Sequence, residues 1–399
     1  MSDAWPHFAL AELVAQRRDA QKIESGVGYR LLGVRWYGQG AFHRETVTRE
    51  TSKAVTVYRV TPGQFIYNRL FAGKGSFGLV PPEFAGAFVS NEFPLFDTNT
   101  ERISADYLNL YFQQKQVWDH VEAASTGTTA SRNRWKESQF LEHHIPLPPL
   151  PTQKRIVEVI NAVDDQITAL DAEAEALAAV LRCRRADLIT DGSVEAVRAE
   201  YAFDFSTGVR RTPDRAAGPY MTPYLRSANV GYGRLDLSDV LEMNYDPAER
   251  EKFGLRYGDV VVSEGSASAN AVGMPAMWRD ELPGPVCTQM TLLRLRAREG
   301  VCIPEFVFHW SMWAYESRAF LDVAGGTNIK HISAKRAKGM AVRLPSLDRQ
   351  REMAVELDAM GSALEATRSE ATRLREVRAG LLSGLLDRTV DIESASLEG

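Results

Sequence analysis

The sequence predicts an α+β chain built as a tandem repeat, with two mixed α/β globular domains separated by two long helices. These helices are expected to pair as an antiparallel coiled coil about a pseudo-twofold axis. Three observations carry the expectation. A junction, Leu147-Pro148-Pro149-Leu150-Pro151-Thr152-Gln153, returns 197 residues later as Leu344-Pro345-Ser346-Leu347-Asp348-Arg349-Gln350. A long heptad pattern of apolar residues follows each copy. Charge alternates along the chain in register with that division.

Two copies of one junction imply two copies of a unit. Upstream the offset drifts, as loops of unequal length would cause. Leu31 to Gly40 resembles Tyr224 to Gly233, Val60 to Ile66 resembles Arg256 to Val261, and Gly127-Thr128 resembles Gly326-Thr327. The expected order is a domain over 1–150, a helix over 151–192, a domain over 193–347, a helix over 348–390 and a tail over 391–399. Within the domains, Val55–Val60, Gln64–Asn68, Phe88–Phe96 and Asp259–Val262 read as strands. Ala105–Ala123 and Pro304–Leu321 read as helices.

In the first long helix Ile156, Ile160, Val163, Ile167, Leu170, Ala174, Leu177, Leu181 and Leu188 keep steps of four and three, with Arg184 interrupting the seam. The repeat offset gives Met353, Leu357, Met360, Leu364, Thr367, Ala371, Leu374, Arg378, Leu381 and Leu385, again with an arginine. Proline before each helix and Asp191-Gly192 after the first set the ends. Each helix is about 36–40 residues, or about 55–60 Å at 1.5 Å per residue. An apolar stripe of that length needs a partner, and its own copy is the economical one. The seam arginines read as a register-setting polar pair or as side chains reaching for solvent.

Composition narrows the function class. Residues 1–150 hold 16 basic and 15 acidic side chains and residues 193–347 hold 19 and 18, whereas residues 151–192 hold 5 and 8 and residues 348–399 hold 7 and 11. The near-neutral domains lack the strong footprint of a stand-alone nucleic-acid binder, so a more basic partner is expected. No segment is apolar enough for a membrane span, and the N-terminus has no signal-peptide pattern, so a cytoplasmic protein is expected. Cys183, Cys287 and Cys302 fit neither a disulfide framework nor a zinc site and read as reduced, buried thiols.

Catalytic motifs are missing from the sequence. Gly73-Lys74-Gly75-Ser76-Phe77-Gly78 satisfies G-x-G-x-x-G, but Pro81-Pro82 follows where a phosphate-binding helix should open, so it reads as a flexible loop. His143-His144 lacks further ligands nearby and reads as structural. Val80-Pro81-Pro82-Glu83 lacks the preceding Asn or Asp of a methyltransferase tetrapeptide. Neither a catalytic residue nor a cofactor or metal site is therefore assigned to this chain.

Basic clusters ahead of each long helix carry the binding expectation. Arg132, Asn133, Arg134 and Lys136 in the first unit match Lys330, His331, Lys335, Arg336 and Lys338 in the second, residue types suited to phosphate contacts or guanine readout. A solvated surface turn would look the same. Arg69 and Lys74 are further candidates, with Asn68 able to read an adenine edge, and Arg226 and Asn229 are candidates in the second unit.

From Ile145-Pro146-Leu147 through Lys154-Arg155-Ile156, and again from Leu344, the chain resembles the type I restriction-modification specificity subunits, over essentially its whole length. It departs from them where the family's glutamate before the junction glutamine is Thr152 or Arg349, a change at a helix start. The resemblance implies two target recognition domains, each reading half of a split site in double-stranded DNA, with the helices as a spacer. It places methylation with S-adenosylmethionine in modification subunits, two of them, and ATP- and Mg-dependent cleavage in restriction subunits where present. The unequal loops of the two domains imply an asymmetric site. A non-catalytic coiled-coil scaffold that tethers partners without reading sequence is the competing class.

Overall fold

A computed structural model describes residues 4–127, 133–266, 270–326 and 330–392. The chain forms two compact units, Met1–Leu170 with Ser369–Gly399, and Asp171–Arg368. Each unit holds one globular head together with a stretch of both long helices, which run over Leu150–Ile189 and Leu347–Leu386.

In the first unit a four-stranded antiparallel sheet has the order Val14–Arg17, Leu95–Thr98, Phe65–Tyr67, Phe77–Leu79. A five-stranded sheet has the order Asp19–Lys22, Thr56–Arg59, Phe88–Val89, Tyr29–Val34, Ala41–Val47. Phe65-Ile66-Tyr67 is buried on both faces, because alternate residues of a strand point to opposite sides. Phe65 and Tyr67 enter a core with Phe77, Phe96 and Trp135, while Ile66 enters another with Leu32, Val34 and Val89.

The second unit repeats the plan. Its four-stranded sheet has the order Phe203–Thr207, Leu292–Ala297, Val260–Ser263, Pro275–Met277. Val260 and Val262 face one core and Val261 another. In each unit a short strand near the start pairs antiparallel with the strand that precedes a long helix, His7–Ala9 with His144–Pro146 and Ala196–Arg198 with Ala341–Arg343.

The heptad residues are buried or half-buried, as the sequence predicts. In the first unit Ile156 and Ile160, from the start of the first long helix, share a core with Leu382, Leu385 and Leu386 from the end of the second. In the second unit Leu181 and Leu188 share a core with Met353, Leu357 and Leu364. Start packs on end in both, so the pairing is antiparallel. The seam arginines each pair with an acidic residue of the other long helix. Arg184 forks onto Glu356, and Arg378 forks onto Asp164 with Nη2 to Oδ2 at 2.8 Å. They lie 194 residues apart, one heptad step of three away from repeat equivalence, so each has its own acidic partner.

The junction glutamines do more than begin a helix. Gln153 is fully buried, accepts from the Ser104 amide at 2.8 Å and donates to the Arg102 and Pro148 carbonyls at 2.9 and 2.8 Å. Gln350, equally buried, accepts from Ile303 N at 3.0 Å and donates to the Val301 and Pro345 carbonyls at 3.1 and 2.9 Å. Each glutamine thus ties the first turn of a long helix to the loop ahead of a head helix, and the buried polar groups satisfy one another.

Several sequence expectations are corrected. Phe88–Phe96 is two strands in different sheets, because the chain turns at Ser90–Phe93. Ala105–Ala123 divides into helices Ala105–Tyr111 and Lys115–Ala124, the Trp118 indole capping the Phe112 carbonyl and the Gln114 amide capping that of Tyr111. Pro304–Leu321 divides at Ser317–Arg318, where Arg318 takes a left-handed φ of 68°. Cys183 is exposed on its helix, unlike the buried Cys287 and Cys302.

Replacing Gln153 or Gln350 with leucine, which keeps the volume, strands one amide and two carbonyls. Urea unfolding should show a loss of about 3 kcal/mol or more, since each of the three unmatched buried groups costs about 1–3 kcal/mol. A loss below about 0.5 kcal/mol, the usual size at surface sites, would mean that the glutamines are not structural ties.

Candidate nucleic-acid interface

In the first unit the basic segment is clamped by its backbone. Arg134 and Thr126 exchange two hydrogen bonds of 3.0 Å, and the buried Trp135 donates to the Arg69 carbonyl at 3.0 Å. The Arg134 guanidinium forks onto Glu92 at 3.1 and 3.0 Å. Arg69, 11% exposed, is paired with Glu137, which also receives Arg18 at 3.0 Å. Burial alone would raise the Glu137 carboxyl, but the Arg69 hydrogen bond and charge hold it below the usual range. Lys136 is exposed at the start of the Glu137–Glu142 helix, and Asn133 is half-buried. Arg132 lies outside the described residues.

In the second unit Lys330–His331 pairs antiparallel with Gly265–Ser266. A side chain at 265 would sit 2.3 Å from His331 Nδ1, which requires glycine there. Ser333 then caps Ala334–Lys338, accepting from the Arg336 amide at 3.3 Å. Lys335 and Arg336 are exposed and Lys338 is half-exposed. Lys335, Arg336, Ser333 and Arg198 line an open depression of about 920 Å³, with Asp322 its one acidic lining residue.

Repeat equivalence is looser here than the sequence suggests. At the offset of 197, Asn133, Arg134 and Lys136 correspond to Lys330, His331 and Ser333, whereas Lys335, Arg336 and Lys338 replace Ser138, Gln139 and Leu141. The second unit therefore carries its charge on the short helix, and the first unit ahead of it. Among the described residues Lys330, Lys335 and Lys338 form no ion pair, while Arg69, Arg134 and Lys74 do. Exposed pairs contribute only about 0–1 kcal/mol, so Arg134 and Lys74 can exchange a carboxylate for a phosphate, whereas Arg69 is fixed.

The glycine loop is packed, not flexible. A Cβ at Gly73 would lie 2.6 Å from Glu122 Cβ, one at Gly75 would lie 2.5 Å from the Trp118 ring, and one at Gly78 would lie 2.7 Å from Gly40 Cα. Strand Phe77–Leu79 follows, and Lys74 pairs with Glu122 at 3.0 Å. The buried Asn68 accepts from the Leu70 amide at 3.0 Å. Arg226 and Asn229 staple one loop. Asn229, 2% exposed, donates to the Asp236 and Asp239 carbonyls, and Arg226 pairs with the Asp239 carboxylate at 2.6 Å.

Two features escaped the sequence reading. Trp36, Tyr37 and Phe71 form an exposed aromatic cluster beside Lys74, with Trp36 and Phe71 ring centroids 5.3 Å apart. Exposed rings of this kind can stack on unpaired bases. The clue was an aromatic pair at a glycine-bounded hairpin tip, Trp36-Tyr37-Gly38-Gln39-Gly40. In the second unit Arg182, Arg234 and Arg279 line a pocket of about 600 Å³ with Phe308 and Met312 and with the carboxylates of Glu305, Asp358 and Glu365. None of the three arginines forms an ion pair among the described residues. Their separation in sequence gave no signal.

His143-His144 has a packing role. With His7 and His120 both line a pocket of about 650 Å³ in the first unit, and Tyr111 Oη lies 2.8 Å from His143 Nε2. Burial, then the neighbouring His120 and His144, push His143 down to about 4. Among the described residues no three or more His, Cys, Asp or Glu gather as metal ligands, and no helix is long and apolar enough to cross a membrane.

Residues 20–178 match the family model of the type I restriction modification DNA specificity domain. The chain is 21% identical over 306 residues to the type I restriction enzyme MjaVIII specificity subunit of Methanocaldococcus jannaschii, covering 72% of this chain and 71% of that protein. It is 22% identical over 250 residues to the EcoKI specificity subunit of Escherichia coli, covering 58% and 53%. A chain from structural work on the complex assembly and conformational transition of the type I R-M system superposes with a TM-score of 0.69 at 16% identity, covering 98% and 99%. The HsdS subunit from Thermoanaerobacter tengcongensis superposes with a TM-score of 0.53 at 16% identity, covering 98% of each chain.

Because His143 is lower in the folded chain than its ordinary 6.5, the unfolded chain binds more protons between these values. Its contribution is complete above about 6.5 and is lost as pH falls toward about 4. Melting temperature should drop across that window, and His143→Gln should flatten the drop. Equal slopes in both proteins would show that His143 does not titrate this way.

Proposed function

Because this chain belongs to the type I restriction-modification specificity subunit family, we propose that it reads a bipartite, asymmetric sequence in double-stranded DNA and performs no chemistry on it. One observation carries the proposal. Two units whose four-stranded sheets have the same strand order each present a basic segment ahead of a long helix, and each contains an antiparallel section of the helix pair. Two similar heads with different side chains suit two different half-sites. Phosphate contacts from Lys335, Lys338 and Arg134 would fix register, and polar groups entering the major groove would choose the bases.

The partners follow from the same reading. One modification subunit per unit would bring S-adenosylmethionine, and restriction subunits, where present, would bring ATP and Mg, all in the cytoplasm. The near-neutral heads fit this division, since additional positive charge would come with the partner.

Selection from a pool of random duplex DNA, using the chain with its modification subunit, is expected to enrich two fixed half-sequences across a constant gap. A scaffold that only tethers partners would enrich nothing. Lys335→Ala and Lys338→Ala should each weaken binding at every sequence and lower the salt slope by about 1 per lost phosphate contact. An unchanged slope would remove these lysines from the interface.

A further inference from the structure

Each unit contains, within itself, a polar link that no repeat motif announces. In the second unit Arg185, 4% exposed, donates to Glu316 at the end of the Pro304–Glu316 helix, and the Tyr232 hydroxyl donates to the same carboxylate oxygen. Tyr232 sits at the tip of a hairpin closed by Gly231 N to Arg234 O at 2.8 Å, and its ring lies 5.9 Å from that of Tyr315. In the first unit Arg378 donates to Gln113 Oε1 at 2.6 Å, just past the Ala105–Tyr111 helix. The hairpin tip at Gly38 packs on Gln113, with an added Cβ 3.2 Å from Gln113 Cγ. Each link runs from a long-helix arginine, through a residue at or just past the end of a head helix, to a hairpin tip. The arginine comes from the first long helix in one unit and from the second in the other, as an antiparallel pair requires.

Apolar packing already joins each head to its helices, but hydrophobic contact is non-directional. A guanidinium on a carboxylate or amide oxygen is directional. Together with the glutamine tie it restricts how each head can turn on its helices. This matters for a reader of split sites. A gap wrong by one base pair displaces the second half-site by about 3.4 Å and turns it by about 35°, so each head must be held more tightly than that.

Resting on the proposed reading of a split site, we propose that Arg185, Glu316 and Tyr232 in the second unit, with Arg378 and Gln113 in the first, are positioning residues. They fix each head on its helices and so set the permitted gap between half-sites. The first unit supplies its own control, because glutamine does there what glutamate does in the second. Glu316→Gln should therefore keep the link, and Glu316→Ala should break it.

The test measures methylation rates by the complete complex with its modification subunits on DNA carrying the selected half-sites at the preferred gap and at gaps one base pair shorter and longer. The wild type should favour the preferred gap by about tenfold or more, since misplacement of this size is costly to a transferring group. Glu316→Ala should narrow that ratio several-fold, and Glu316→Gln should behave as wild type. Tyr232→Phe, which removes one hydroxyl and spares the fold, should narrow it to a smaller extent. Folded Glu316→Ala and Tyr232→Phe complexes with wild-type gap profiles would overturn the inference while leaving split-site reading intact. A wild-type complex that methylates no split substrate would overturn the reading beneath it.

Discussion

The antiparallel packing of the two long helices is the constraint from which the rest of each unit follows. Ile156 and Ile160 bury against Leu382 and Leu385, and Leu181 and Leu188 bury with Met353, Leu357 and Leu364. Neither stripe could remain exposed in water, and each is completed by residues roughly two hundred positions away. Removing a buried leucine from such a seam costs about 2–5 kcal/mol, a large part of the stability of an ordinary domain. The repeat in sequence thus supplies the cover that each stripe needs, a second helix of the same length and period.

Polar groups then select one arrangement from those that apolar packing permits. Arg184 with Glu356 and Arg378 with Asp164 pair across the two helices, and Gln153 and Gln350 tie the start of each to its head. The two glutamines are fully buried and make the same three bonds in two different loops. That agreement extends the repeat to a level that local composition does not reach, since Thr152 and Arg349 beside them differ completely.

Much of this was legible in the sequence because it depends on period. Heptads, the junction and the strand runs Thr56–Arg59, Phe65–Tyr67 and Val260–Ser263 all announce themselves through spacing. Breaks in the head helices were not legible, because they depend on single capping groups such as the Trp118 indole and on the left-handed Arg318. The candidate interface was legible in part. Residue type brought Lys335, Arg336 and Lys338 forward, but it could not separate them from Arg69, whose guanidinium is occupied by Glu137, or from Asn229, whose amide closes a loop. The Trp36 cluster and the Arg182, Arg234 and Arg279 pocket needed three dimensions, since only folding brings those residues together.

Division of labour between two heads is the central claim, and it is most directly read from modified DNA in living cells. Long-read sequencing of a strain that carries this chain with its modification subunit would report every methylated site. A motif of two unlike half-sequences at one constant spacing is expected. A continuous or palindromic motif would contradict it.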